Sequence, residues 1–219
     1  MDYKFSGAGT VPAGEYDAVN VSGAAKLSGD VRCASLSASG SFGGRGSIAC
    51  SGGVHLSGAA SINGSISAGE LKASGAFKCK GLRGGDLRVS GSARVDGDIE
   101  GDSIRVSGSI NCSGLVNADH IEIHIEGPCS AGSIGGSEIR IYSKRRPVSL
   151  FRIFGKNRVR TINVTESIEG DDVYLEGVSC PCVTGRSVII GSGCRIGLVQ
   201  YSEKAEISPD ALVDDCRNV

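Results

Sequence analysis

Polar and apolar residues alternate in short bursts along the first half of the chain, and the bursts return at a nearly fixed interval. Pairs such as Val19/Val21, Leu36/Ala38, Leu71/Ala73, Leu87/Val89 and Ile104/Val106 flank one polar residue and run into a Ser-Gly dipeptide. That dipeptide stands at Ser6-Gly7, Ser22-Gly23, Ser39-Gly40, Ser57-Gly58, Ser74-Gly75, Ser90-Gly91 and Ser107-Gly108, in steps of 16, 17, 18, 17, 16 and 17 residues. Five residues after each Ser comes a third apolar column, Val11, Leu27, Ile62, Cys79, Val95 and Cys112, with a gap at Gly44. A fourth lies eight or nine after: Val31, Ile48, Ile66, Leu82, Ile99 and Leu115. Alternation with period 2 is the pattern of a strand with one buried face. Three bursts per repeat predict three short strands and three tight corners, one winding of a triangular, all-β parallel β-helix. Each winding of such a solenoid buries its apolar residues against its neighbours. No stretch sustains a helical period.

The columns continue beyond the last Ser-Gly. Ile121 and Ile123 fall on the first two, Cys129 is expected on the third, and Ile139 and Ile141 open a further winding. The register then breaks between Ser143 and Thr161 and resumes with Ile162/Val164, Val173/Leu175 and Val188/Ile190. The expected organisation is one solenoid of about ten to twelve windings, about 50 Å long at the spacing of paired strands. Residues 1–143 form its regular part, 144–161 an insertion, and 162–219 less regular C-terminal windings.

Composition agrees. Glycine, at 34 of 219 residues, suits corners that need positive φ, and the absence of Trp suits a narrow interior. No apolar leader or 18-residue apolar run is present, which predicts neither secretion nor a membrane span. Nine cysteines include several in the apolar columns, where thiols behave as small hydrophobes. That favours a reducing cytoplasm, with the inner face of the membrane as a second placement. Charge is unevenly spread: residues 144–165 carry seven basic side chains and no acidic one.

Few segments suggest chemistry. His120, Glu122 and His124 share one face of a strand and could approach a metal, although the polar face of a half-buried strand must hold something polar in any case. Cys180, Cys182, Cys194 and Cys216 lack the paired Cys knuckles of a zinc site and read as buried or incidental thiols. Gly155-Lys156 is not a P-loop. Asp96, Asp98, Glu100 and Asp102 resemble the carboxylate runs of polysaccharide-cleaving β-helices but read as solvated surface. No catalytic residue, metal or cofactor is expected, and no nucleic-acid partner. The main candidate is the insertion, in which Lys144, Arg145, Arg146, Arg152, Lys156, Arg158 and Arg160 are interleaved with Leu150, Phe151 and Phe154. Such a mixture suits a protein partner or an anionic membrane surface, and equally an intramolecular clasp on the acidic windings beyond residue 166. Tyr3 and Phe5, in the first winding, are candidates for self-association, because the end of a β-helix is an unpaired sheet edge.

The 17-residue Gly/Ser-rich repeat, for instance Asp86-Leu87-Arg88-Val89-Ser90-Gly91-Ser92-Ala93-Arg94-Val95-Asp96-Gly97-Asp98-Ile99, resembles that of the bactofilins, polymer-forming cytoskeletal proteins of bacteria. The resemblance covers residues 3–142 well and 162–219 loosely. It implies a right-handed β-helix that self-assembles end to end without nucleotide, as a dimer or filament, and acts as a non-enzymatic scaffold for cell-shape or cell-envelope proteins. The alternative is a left-handed hexapeptide-repeat acyltransferase, which Ile190-Gly191-Ser192-Gly193-Cys194-Arg195-Ile196-Gly197 resembles. Such windings need 18 residues and a catalytic histidine, for which only His55, His120 and His124 are available.

Overall fold

The period of the sequence is the period of the structure. The computed structural model describes residues 1–143 and 161–219, and all of its regular elements are strands. In chain order they are β1 (Tyr3–Val11), β2 (Gly14–Leu27), β3 (Val31–Gly44), β4 (Ile48–Ile62), β5 (Ser65–Cys79), β6 (Gly81–Val95), β7 (Ile99–Cys112) and β8 (Leu115–Ile125). There follow β9 (Cys129–Ala131), β10 (Ser133–Ser143), β11 (Ile162–Val164), β12 (Ser167–Leu175), β13 (Val178–Ile190), β14 (Arg195–Ile207) and β15 (Leu212–Asn218). All pair in parallel with the next winding, and together they form one β-solenoid. One column of partners runs unbroken through Tyr3, Val19, Leu36, Val54, Leu71, Leu87, Ile104, Ile121, Ile139, Val173, Val188 and Ala205, which defines about twelve windings. Among the described residues no helix is long and apolar enough to cross a membrane.

Away from the ends, each winding buries up to three pairs of side chains, as with Val19/Val21, Ala25/Leu27 and Val31/Cys33 in the second. Three pairs make three sides, here called first, second and third in chain order. The residue between the members of each pair points outward, so every strand has a dry and a wet face. The core accommodates bulk by alternation. One second-side column reads Ala25, Phe42, Ala60, Phe77, Ala93 and Ile110, so each phenylalanine lies between two alanines. The gap at Gly44 falls in the same winding as Phe42, which is 3% exposed.

The corner between first and second sides explains the Ser-Gly repeat. Its glycines have positive φ, +111° at Gly23 and at Gly75, and they stack in register. A Cβ at Gly75 would strike the carbonyl oxygen of Gly58 in the winding below. Glycine is required there twice over, by dihedral and by contact.

Two expected column members are displaced. Leu115 is 39% exposed, and Val116 occupies the buried third-side position beside Ile99. Cys129 does not follow Cys112: Asn111 pairs with Ser130, which sets Cys129 beside Ile110 and Ala131 beside Cys112. The cause is a longer corner. Ile125 takes the place of the corner glycine, opposite Gly108, and Glu126-Gly127-Pro128 lengthens the turn. The residues after the break are also placed differently from a simple resumption. Ile162 and Val164 pair with Cys129 and Ala131 on the second side, while Ile139 pairs directly with Val173. Residues 144–160 are therefore inserted within the ninth winding, at the corner that Ser-Gly closes elsewhere, since Ser143 stands opposite Ile125.

Candidate assembly surfaces

The two ends of the rod differ in chemistry. Among the described residues β1 pairs only with β2, and β15 only with β14, so each end presents a strand edge with one hydrogen-bonding side unused by them. At the first end Tyr3, Phe5 and Tyr16 are half-buried and pack against the core. The Phe5 ring lies where a Cβ on Gly9 would fall, so Gly9 has no room for a side chain. Tyr3 and Tyr16 meet edge to face at 5.5 Å. Their hydroxyls donate to the carbonyls of Thr10 at 2.8 Å and Pro12 at 2.9 Å, which anchors both rings across the first winding. The two sequence candidates, Tyr3 and Phe5, thus stand together in an aromatic layer. Tyr16 belongs to it as well, and the sequence signal for it is its register with Cys33 in the next winding.

At the other end Ile207 and Leu212 are 41% and 59% exposed, beside half-buried Ala205, Ala211 and Val213. Pro209 lies in the turn between β14 and β15. Asp215 is engaged by Arg217 at 2.5 Å.

Partner-binding candidates Lys144, Arg145, Arg146, Leu150, Phe151, Arg152, Phe154, Lys156, Arg158 and Arg160 lie outside the described residues. The described rod next to their attachment carries a short aromatic ladder. His124 and Tyr142 stack at 5.0 Å, and Tyr142 and Tyr174 at 5.4 Å.

The histidines do not converge. His124 Nε2 lies 3.0 Å from Glu122 Oε1, whereas His120 Nδ1 lies 3.1 Å from Glu138 Oε2 in the next winding. His55 is exposed on the first side, in a shallow groove with Lys72 and Arg88. Ser103, Arg105, His120, Glu122, Glu138 and Arg140 line an open groove of about 320 Å³, where the charged groups are paired with one another. The acidic run is divided by a corner. Asp96 on the second side binds Lys78 at 2.7 Å, Glu100 on the third binds Arg83 at 2.6 Å, and Asp98 accepts the Leu115 amide at 2.9 Å.

The cysteines are free thiols, and most are buried. Cys180 points inward, Cys182 lies outside beyond the corner at Pro181, Cys194 is buried and Cys216 exposed, so the four do not meet. No group of three metal-ligating side chains gathers among the described residues. Burial pushes the Cys33 and Cys79 thiols up to about 12, and Cys180 to about 11, because the interior disfavours a thiolate. These thiols are packing groups, not nucleophiles.

Two uncharacterized proteins of Bacillus subtilis (strain 168) are similar to this chain. YhbF is 39% identical over 82 residues, 37% of this chain and 32% of YhbF. YhbE is 30% identical over 100 residues, 45% of this chain and 40% of YhbE. The chain therefore spans about a third of one relative and two fifths of the other. No family model matches the chain, and no solved structure matches it.

Proposed function

We propose that this protein is a non-enzymatic scaffold that self-associates through the ends of its solenoid, in the manner of a bactofilin-like cytoskeletal polymer serving cell-shape or cell-envelope partners. The observation that carries the reading is the pair of unsatisfied strand edges, each bordered by apolar side chains instead of a covering helix or loop among the described residues. An exposed edge recruits another strand unless it is blocked. Two different open ends in contact give a heterologous joint that repeats without closing, hence a filament. Ion pairs along the rod, such as Lys72 with Glu70, Arg83 with Glu100, Arg88 with Asp86 and Arg140 with Glu138, support a non-enzymatic role for those polar columns. The acyltransferase alternative draws no support from the winding lengths. On the first side, register partners are 16, 17 or 18 residues apart through the first nine windings, where three hexads would demand a constant 18.

Negative-stain microscopy with light scattering tests this. The wild type should form particles longer than one rod. Phe5→Glu at one end, or Val213→Glu at the other, should shorten them while leaving the circular dichroism of the rod unchanged. A wild type that stays monomeric at high concentration overturns the proposal.

A further inference from the structure

The outward columns of the rod are sorted by charge from side to side. Between the second and sixth windings the second side carries Lys26, Arg45, Lys78, Lys80 and Arg94 against one carboxylate, Asp96. Asp96 is engaged by Lys78, while Lys26, Arg45, Lys80 and Arg94 are exposed and make no ion pair among the described residues. Around them the side is low and smooth, with exposed Ala24, Ser41, Ala59, Ala76 and Ser92 in the neighbouring column. Among the described residues nothing there holds a partner off.

The opposite charge collects on the third side, on the corner that leads into it (Asp98 and Glu166) and on the ridge where it turns into the next winding. Asp98, Asp102, Asp119, Glu166, Glu169 and Asp171 are exposed there. Three of them contact only neutral groups: the Leu115 amide for Asp98, the Ser133 hydroxyl for Glu166 and the Ser167 hydroxyl for Glu169. Asp102, Asp119 and Asp171 have no ion pair among the described residues. Elsewhere on the same ridge the acids are neutralised within the rod, Glu70 by Lys72 at 2.6 Å and Asp86 by Arg88 at 2.5 Å. The four unpaired cations of the second side and the unpaired acids of the third side and its ridge thus lie on different parts of one molecule whose net charge is only −1.

We propose that the second side of one copy docks on the third side of another, so that rods associate laterally as well as end to end. The occupant of the basic side is a second copy of this chain because the complementary surface is present on the molecule itself. Contact between unlike sides leaves the pair with one basic and one acidic side still free, so the association continues beyond a pair. Opposed charge sets partner choice and docking rate more than raw affinity, and it is weakened by salt. The inference extends the self-association proposed above, yet it concerns width where that reading concerns length.

The test measures both dimensions by electron microscopy and small-angle scattering. One variant reverses the basic side (Lys26→Glu, Arg45→Glu, Lys80→Glu, Arg94→Glu). A second reverses the acidic side (Asp102→Lys, Asp119→Lys, Glu169→Lys, Asp171→Lys). All eight positions are exposed, and circular dichroism should confirm that both variants fold. The wild type in low salt should be at least two rods wide and should narrow to one rod in molar salt. Each variant alone should stay one rod wide, and an equimolar mixture of the two should regain the wild-type width. Folded variants that fail to co-assemble, or a wild type one rod wide in low salt, would overturn lateral docking. So would a single-width wild type that pellets with anionic vesicles through the same four cations, which would assign the basic side to a membrane. If lateral docking holds while Phe5→Glu leaves particle length unchanged, end joining fails and this proposal stands.

Discussion

A residue's position in its column decides what it tolerates. Leu87 is fully buried, and Leu87→Ala should cost about 2–5 kcal/mol, because the windings above and below hold the cavity open. Arg88, one residue on, points outward to Asp86, and losing an exposed pair costs about 0–1 kcal/mol, so Arg88→Ser should leave the melting temperature almost unchanged. Equal shifts for the two would contradict the register. Gly75→Ala adds one methyl group but forces positive φ and a clash with a backbone carbonyl, and should destabilise as much as a core truncation. The thiols give a pH signature. Cys33 and Cys79 ionise near 9 when unfolded and near 12 in the fold. The folded state therefore prefers their neutral form, and its advantage is complete below about pH 9 and is lost as the pH climbs toward 12. Chemical denaturation at pH 7, 9 and 10.5 should show that decline, and Cys79→Ala should flatten it. A thiol reagent applied to the native protein should reach Cys216 first.

Elements in this fold are joined by corners, and the corners set what could be foreseen. The columns were legible because each is a repeated burial requirement, and Val89 or Ile104 could be placed from the spacing alone. Cys129 and Leu115 are misplaced because corner length varies without an apolar marker: Ile125 replaces glycine and two residues are gained before Cys129, while the corner after Cys112 is one residue longer than the one after Cys79, so Val116 takes the place of Leu115. Tyr3 and Phe5 were legible as end residues, but Tyr16 and the charge sorting emerge only when distant residues are set in register. The ninth winding offers a direct test. Ile141 is opposite Leu175 and Ile162 opposite Val178, and Glu176-Gly177 alone bridges the latter pair. Replacing residues 142–161 by Glu-Gly should therefore close the same corner and leave a folded rod. Retained circular dichroism with a small change in melting temperature would make the insertion dispensable for folding and free for docking. A large drop would favour the intramolecular clasp.

At the scale of the whole molecule, each winding touches only its neighbours, so stability is a sum of local interfaces. Amide exchange should be slowest in the middle windings and fastest in β1 and β15, which lack a second partner among the described residues. Self-association should slow exchange at the ends, and lateral docking should leave those rates unchanged. The two modes can thus be separated without altering a residue.

The ladder is not equally continuous on all sides. Through the eighth and ninth windings the first side is joined by long runs of partners, from Ile121–Ile139 to Ile139–Val173. Among the described residues the second side narrows to β9 and β11, three residues each, with a single partner pair linking β9 to β7. A beam thinned along one side flexes there and in one direction. The rod should thus have a preferred bending plane at that notch, and any polymer built from it would inherit a regularly repeated curvature.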